Sequence, residues 1–207
     1  MFYLVKTAWW LKKIYPSLVW DVPTAEKALY LTFDDGPHET ATPFALEQLK
    51  QHNAKATFFC IGKNVAGYPE IYKRVLEEGH SVGNHTHNHL NGWKTNSEEY
   101  LQNIQEAAKY IDSRLFRPPY GRITKQQIKL IKHHPAKSFS IIMWDVLSGD
   151  FDVKLAPEAC LQNVLKKSVP GSIIVFHDSA KAYERMSYAL PRLLDHFSKQ
   201  GYAFKTL

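Results

Sequence analysis

The chain has 207 residues, of which 44% are apolar and 13% aromatic, so it can bury the core of one large globular domain. Its 26 basic and 20 acidic residues give a net charge of +6. The basic residues are spread singly or in pairs, with no basic stripe interleaved with aromatic residues, and this argues against nucleic-acid binding.

The first 26 residues are predicted to form an N-terminal arm that packs on a domain formed by residues 27–207. The arm is aromatic and apolar but is interrupted by Lys6, Lys12 and Lys13. It also lacks a small-residue cleavage site, so the sequence predicts neither a signal peptide nor a membrane span. The arm is a candidate for peripheral contact with a membrane surface. A cytoplasmic or membrane-peripheral location is favoured, the compartment stays open, and no obligate protein partner is evident.

Apolar, β-rich runs then alternate with segments of helical period, which is typical of strand–helix units around a parallel sheet. The predicted strands are Ala28–Phe33, Ala56–Ile61, Ser81–Asn84, Leu115–Arg117, Ser138–Val146, Ser172–Phe176 and Tyr202–Thr206. The pattern predicts a barrel or an open α/β sheet. In both folds the functional residues gather at the carboxyl ends of the strands.

The predicted helices rest on their caps and their apolar faces. Thr42 and Pro43 are expected to begin the first as cap and first helical residue. A second has an apolar face that includes Leu76 and ends before Gly79. The later helices are expected to start near the caps Asn96 and Thr124 and to span Pro157–Lys167 and Pro191–Gln200.

Two adjacent aspartates, Asp34 and Asp35, follow the first predicted strand in the run LTFDDGPHET. Asp-Gly-Pro is common in turns, so a turn alone would account for them. Two adjacent carboxylates repel each other, however, and both stay ionised in a confined site only beside a cation. A site containing these residues would therefore need a metal ion or an arginine.

The run GNHTHNHL places His85 and His89 four residues apart after the third predicted strand. In a helical turn this spacing puts both imidazoles on one side, as in zinc-binding H-x-x-x-H pairs, with His87 pointing elsewhere. Such a pair also occurs by chance. Joined by one carboxylate, two histidines make a three-ligand site of the catalytic kind, with a position open for water.

Two more motifs follow predicted strands. In LFRPPYGR, Arg117 is a permanent cation that could hold a carboxylate, or simply a surface arginine on a loop stiffened by proline. In SIIVFHDS, His177 ends an otherwise apolar strand. A histidine there suits proton transfer, although a structural hydrogen bond is the common alternative.

Taken together, these motifs resemble the polysaccharide deacetylase family, the NodB-homology domain of carbohydrate esterase family 4, from about Leu29 to the C-terminus. The resemblance implies an α/β fold, a distorted (β/α) barrel of about seven strands. It implies a metal-dependent hydrolase of carbon–nitrogen bonds other than peptide bonds, which removes N-acetyl groups from an N-acetylated sugar or cell-envelope glycan. One divalent ion is expected, with zinc favoured on ligand type and cobalt, nickel or iron left open.

The resemblance also implies roles for the residues that match the family motifs. The implied catalytic residues are Asp34 as general base, His177 as general acid, Arg117, which would hold Asp34, and Asp150, which would tune His177. The implied metal ligands are Asp35, His85 and His89. The implied substrate and oxyanion residues are Tyr120, through its backbone N–H, with Pro118 and Phe151.

One motif departs from the family pattern. In WDVLSGDFD, Leu147 and Phe151 stand where family members often have aspartate and tryptophan, while Asp150 matches. This change affects the expected wall of the groove, so the substrate, its chain length and its linkage stay open, as does the oligomeric state. Two alternatives also remain: hydrolysis of another amide or imide, such as a small nitrogen heterocycle, and a non-catalytic sugar-binding domain that retains a metal.

Overall fold

The structure, a computed structural model, describes residues 3–134 and 137–207; residues 1 and 2 of the predicted arm lie outside it. Its strands are Ala28–Asp34 (β1), Ala56–Cys60 (β2), Ser81–Asn84 (β3), Leu115–Phe116 (β4), Ser140–Ile141 (β5), Val146–Leu147 (β6), Ile173–His177 (β7) and Ala203–Phe204 (β8). Its α-helices are Trp9–Ile14 (α1), Ala41–Gln51 (α2), Gly62–Gly67 (α3), Pro69–Glu77 (α4), Ser97–Ala107 (α5), Lys125–Lys132 (α6), Pro157–Lys167 (α7) and Tyr183–Lys199 (α8). A 3₁₀ turn spans Pro119–Gly121.

The strands form one parallel sheet in the order β5-β4-β3-β2-β1-β7-β6, with β8 paired to the start of β1. Residues 140–147 supply both β5 and β6, which are the two ends of this order. The sheet therefore curls until its ends approach each other. This confirms the predicted α/β fold, a distorted barrel of about seven strands.

Strand β1 lies inside the sheet, between β2 and β7, and all seven of its residues are buried. Such a strand is covered on both faces, by helices outside and by side chains within the barrel. Phe33 stacks on Phe58 with ring centroids 4.9 Å apart and lies 6.1 Å from Phe176. The register pairs Asp34 with His177 of β7, so two predicted site residues leave the sheet side by side.

The predicted strand Ser138–Val146 is wrong as a single strand, because it divides into β5 and β6. Between them the backbone bonds to the N-terminal arm: Met143 N donates to Val19 O at 2.7 Å, and Asp145 O accepts from Thr7 N at 2.9 Å. The run is apolar because it crosses from one end of the sheet to the other while staying buried. The remaining predicted strands are found with their ends shifted by two residues or fewer.

Two helix starts differ from prediction. Helix α2 begins at Ala41 with Thr40 at the N-cap position, where its side chain makes no capping hydrogen bond. Thr42 lies inside the helix, and its hydroxyl accepts from His38 N and donates to Asp178 Oδ2. Helix α8 begins at Tyr183 and contains Pro191 in its interior. Its buried face already includes the residues before the proline, so the proline does not mark the start.

Other helix signals behaved as expected. Asn96 Oδ1 accepts from Glu99 N at the start of α5, and Thr124 forms a capping box with Gln127 at the start of α6. Helix α4 ends before Gly79, but Leu76 of its predicted apolar face is 45% exposed. Helices α1 and α3 were not predicted, since six residues are too short to show a helical period.

The described part of the arm, residues 3–26, lies along the segment that joins β5 to β6. Val5 O accepts from Leu147 N at 2.8 Å, and Val19 forms a parallel bridge with Ile142. Trp9 of α1 is 69% exposed. Membrane contact through the arm stays a prediction, and no helix within residues 3–134 and 137–207 has the length and apolar character needed to cross a bilayer.

A buried carboxylate fastens the arm to the barrel. The Asp145 side chain is 2% exposed and receives Lys6 Nζ at 2.5 Å and Lys12 Nζ at 2.8 Å. Ser172 Oγ donates to the same carboxylate at 2.5 Å. Burial alone would raise the pKa of Asp145, but the hydrogen bonds from Lys12 and Lys6 outweigh it and lower this pKa.

Replacing this carboxylate should therefore weaken the whole fold. We expect Asp145→Asn to lower the free energy of unfolding by about 1–3 kcal/mol, because Lys6 loses its carboxylate partner and Lys12 keeps Asp21 alone, while both lysines stay partly in contact with water. Urea denaturation measures this change. The control is Asp195→Asn, which removes an exposed i,i+4 pair with Lys199 and should cost at most about 0.5 kcal/mol. Equal stability losses in the two variants would contradict the anchoring role of Asp145.

Candidate active site

The carboxyl ends of the strands surround one cavity of about 420 Å³. Most of the residues that sequence reasoning selected open into it. Its lining includes Asp34, Asp35, His85, His89, Tyr120, Leu147, Phe151 and His177. The structure thus brings together side chains from loops that are far apart in sequence.

Asp34 is held by a fully buried arginine. Arg117 Nη1 donates to Asp34 Oδ1 at 2.6 Å, and the guanidinium lies 4.1 Å from the ring centroid of Phe59. The other guanidinium hydrogen bonds go to Thr32 Oγ1, Ile142 O and Met143 O. A buried cation with these partners is rigid, which excludes the alternative of a loose surface arginine.

Asp35 points away from Asp34 because the backbone changes from an extended conformation at Asp34 to a left-handed conformation at Asp35. Asp34 is the last residue of β1, whereas Asp35 has a φ of 82°, in the left-handed region. The next residue, Gly36, donates its N–H to Asp178 Oδ1 at 3.0 Å, and a Cβ there would lie 2.0 Å from Asp178 Oδ2. Only glycine fits so close an approach, so the turn directs the two carboxylates to different partners.

Asp178 was not assigned a separate role from the sequence, although it stands next to His177 in the motif FHDS. It is 1% exposed and bonds both Gly36 N and the Thr42 hydroxyl. Burial raises the pKa of Asp178 to about 8. Its carboxyl group is therefore a structural support for the turn that carries Asp35.

Asp35, His85 and His89 each offer one ligand atom, and these atoms lie within 4.8 Å of one another. Asp35 Oδ1 is 3.7 Å from His85 Nε2 and 3.1 Å from His89 Nε2. Asp35 Oδ1 is buried, and within the described residues no hydrogen bond of adequate geometry reaches it. A buried acceptor without a donor, facing two imidazole nitrogens, fits a divalent cation.

The hydrogen bond made by the other ring nitrogen of His85, Nδ1, also supports a metal site here. His85 Nδ1 lies 2.8 Å from Arg117 O, so it donates to that carbonyl and leaves Nε2 unprotonated on the side of Asp35. Burial lowers the pKa of His85 to about 4, which keeps the ring neutral at physiological pH. A neutral imidazole is the form that ligates a metal.

His85 and His89 lie in a loop and not in the helical turn for which their spacing was considered. The loop after β3 contains two residues in the left-handed region, Thr86 with φ 63° and His89 with φ 56°. This loop still places the rings of His85 and His89 with centroids 5.1 Å apart. Asn103 Oδ1, on α5, fixes the loop by accepting from His87 N at 2.8 Å, while the His87 ring turns away to stack on Tyr110.

His177 is paired with a fully buried aspartate. Its Nδ1 lies 2.7 Å from Asp150 Oδ1, and its backbone N–H donates to Asp150 Oδ2 at 2.7 Å. Burial of the ring favours its neutral form, but the charge of Asp150 and the hydrogen bond outweigh burial and raise the pKa of His177 to about 10. The ring is therefore protonated at neutral pH.

Of the residues predicted to bind the substrate or the oxyanion, Phe151 and Tyr120 line the cavity and Pro118 does not. Phe151 and Leu147 line the cavity, and the Phe151 ring centroid is 5.4 Å from that of His177. Tyr120 has a φ of 60°, and its ring lies 4.6 Å from His89. Pro118 is buried beneath the loop and is not one of the described residues that line the cavity.

Comparisons with known proteins identify the same family that the sequence motifs resemble. The profile of the polysaccharide deacetylase family matches residues 21–139. A peptidoglycan-N-acetylglucosamine deacetylase of Bacillus cereus is 35% identical over 204 residues, which cover 95% of this chain and 94% of the relative. A chitooligosaccharide deacetylase of Azorhizobium caulinodans is 35% identical over 160 residues, 74% of each chain.

The fold is also similar to solved structures. One is a crystal structure of a peptidoglycan N-acetylglucosamine deacetylase in complex with 4-naphthalen-1-yl-N-oxidanyl-benzamide. It superposes with a TM-score of 0.86 at 34% sequence identity, and the match covers 97% of this chain and 95% of that one.

The geometry predicts which histidine variants lose metal affinity. We expect the metal-stripped protein to bind one zinc ion, and His89→Ala to weaken this binding at least about tenfold, because one of three ligands is lost. Isothermal titration with zinc measures both affinities. The control is His87→Ala, in the same loop but turned toward Tyr110, which should bind as the wild type does. A zinc affinity unchanged in His89→Ala would contradict the assigned ligand set.

Proposed function

This chain belongs to the polysaccharide deacetylase family, and we propose that it hydrolyses the acetamide group of an N-acetylated sugar with one divalent ion. The observation that carries the proposal is the convergence, on one cavity, of a carboxylate fixed by arginine, an orphaned carboxylate facing two histidines, and a protonated histidine. The activities named for the relatives favour a glycan containing N-acetylglucosamine, as in a bacterial cell envelope.

Asp35, His85 and His89 would hold the ion. When bound, a divalent ion supplies Lewis acidity, polarising the acetamide carbonyl and lowering the pKa of a water molecule toward 7. Nitrogen and carboxylate ligands with open positions favour zinc, and they are also compatible with cobalt, nickel or iron.

Asp34 would act as the general base. Arg117 occupies Asp34 Oδ1, which leaves Oδ2 as the acceptor for a proton from the attacking water. The same ion pair fixes the direction of the carboxylate, so the proton acceptor needs no rearrangement during the reaction. The backbone N–H of Tyr120 would help to hold the oxyanion, a contact of about 3–4 kcal/mol in comparable sites.

His177 would act as the general acid. Because Nδ1 is engaged by Asp150, the proton available to the substrate is on Nε2, and His177 lines the cavity. This proton would pass to the departing amine nitrogen as the carbon–nitrogen bond breaks. The raised pKa of His177 keeps the proton in place until that step.

Acetate release from N-acetylglucosamine oligomers tests the proposal. The metal-stripped protein should regain activity as divalent ions are restored one at a time. His177→Ala should lower kcat by about 10²–10⁴-fold while zinc binding is retained, because the general acid is lost and the ligands are not. The control is His87→Ala, expected to keep the wild-type rate.

Two outcomes would overturn the assignment. Turnover of small cyclic amides with no acetate from any sugar would favour an amidase or imidase of the same fold. Sugar binding with no hydrolysis, unaffected by His177→Ala, would favour a non-catalytic sugar-binding domain.

The Asp150–His177 pair also predicts the pH dependence. Protonated His177 is present below its pKa and is lost as the pH rises through about 10, so activity should decline on this alkaline side. Asp150→Asn removes the main charge that raises the pKa, and Asp35 and Asp34 contribute less. In this variant the alkaline decline of kcat/KM should therefore occur at a pH lower by roughly 1–3 units than in the wild type.

The matched control for this profile is Asp195→Asn, exposed on α8, which should leave the alkaline decline in place. An alkaline decline that does not move in Asp150→Asn would show that His177 is not the group whose deprotonation limits the rate.

A further inference from the structure

The N-terminal arm reaches the cavity. Tyr3, near the start of the arm, lines it together with Phe151. The two rings meet edge to face, with centroids 5.0 Å apart and an interplanar angle of 61°. Phe151 in turn meets the His177 ring at 5.4 Å and 71°. A continuous row of rings therefore runs from the arm to the proposed general acid.

The position of Tyr3 is fixed by its surroundings. Two residues further on, Val5 O accepts from Leu147 N, and Lys6 forms an antiparallel bridge with Val146. The loop after β6 closes directly against the ring: at Gly149, with φ 83°, a Cβ would lie 2.7 Å from Tyr3 Oη. A larger residue at this position would push the tyrosine hydroxyl away.

The rings of Tyr3 and Phe151 lie on the His177 side of the cavity, and this indicates which part of the substrate they would contact. The amine that leaves in deacetylation stays attached to the sugar, so the sugar ring must lie on the side of His177, which protonates that nitrogen. A sugar placed there has Phe151 and then Tyr3 as its neighbours. Tyr120, by contrast, lies beside His89 and is 58% exposed.

We propose that Tyr3 and Phe151 form a sugar-binding subsite for the ring adjoining the reacting N-acetylated sugar. The proposal rests on the proposed function and makes the arm a determinant of substrate length. Aromatic rings offer an apolar face to the C–H groups of a neutral sugar, with a polar hydroxyl at the edge of Tyr3. A cavity of about 420 Å³ is in the range that holds ligands larger than one sugar ring.

The test compares N-acetylglucosamine with its β-1,4-linked tetramer. Tyr3→Ala should raise KM for the tetramer about tenfold with kcat nearly unchanged, and should leave kcat/KM for the monomer unchanged, because only the longer substrate reaches the subsite. Tyr3→Phe keeps the ring and should keep the wild-type KM. Tyr3→Leu keeps an apolar side chain without the ring and should show the same dependence on length as Tyr3→Ala, which provides a second variant if Tyr3→Ala folds poorly.

The matched control is Trp9→Ala, an aromatic residue of the same arm that is 69% exposed and lies outside the cavity lining. It should behave as the wild type does with both substrates. An unchanged KM for the tetramer in Tyr3→Ala, or equal losses for monomer and tetramer, would overturn the subsite.

Calorimetric binding of the tetramer separates this proposal from the proposed function. If the wild type releases no acetate but binds the tetramer about tenfold more tightly than Tyr3→Ala does, the function is wrong and the subsite is supported. Equal dissociation constants for the two proteins, or no binding by either, would overturn the subsite whatever the activity.

Discussion

Both halves of the site depend on the buried residue Arg117, through its side chain and through its backbone carbonyl. Its guanidinium holds the Asp34 carboxylate, while its backbone carbonyl accepts from Nδ1 of His85. One residue thereby orients both the proposed base and a proposed metal ligand. Removing a charged guanidinium from water costs several kcal/mol, and here it is offset by a carboxylate, three further acceptors and the face of Phe59. Such a residue tolerates little movement, so the site is rigid before any substrate binds.

The second constraint is that adjacent carboxylates must diverge. Asp35 adopts a left-handed conformation, which costs on the order of 1 kcal/mol for a residue other than glycine. The buried Asp178 carboxyl group stabilises this turn through Gly36 N and the hydroxyl of Thr42. Divided in this way, Asp34 pairs with arginine and Asp35 faces the histidines. The repulsion that the sequence suggests is thus reduced by separation: one carboxylate pairs with an arginine, and the other faces two histidines with which it could hold a cation.

The parts predictable from sequence are those set by local patterns. Continuous apolar runs located β1 and β7, and the motifs at strand ends identified the residues that meet in the cavity. The features that the sequence did not predict depend on contacts between residues that are far apart in the chain. Thr42 does not cap its helix because it bonds Asp178, 136 residues away. The roles of Asp178, Asn103 and Tyr3 likewise become visible only when loops from different strands meet, and no spacing along the chain indicates them.

The N-terminal arm shows why the fold and the site cannot be separated. The segment between β5 and β6 leaves the sheet, and two of its backbone groups, Met143 N and Asp145 O, form their hydrogen bonds with the arm. The lysines that meet the buried Asp145 carboxylate fix the arm in this position. Because the same stretch of backbone carries Tyr3 to the cavity, closing the barrel also completes the wall that a sugar would contact. A change that loosens the closure, even far from the cavity, would therefore alter substrate binding as well as stability.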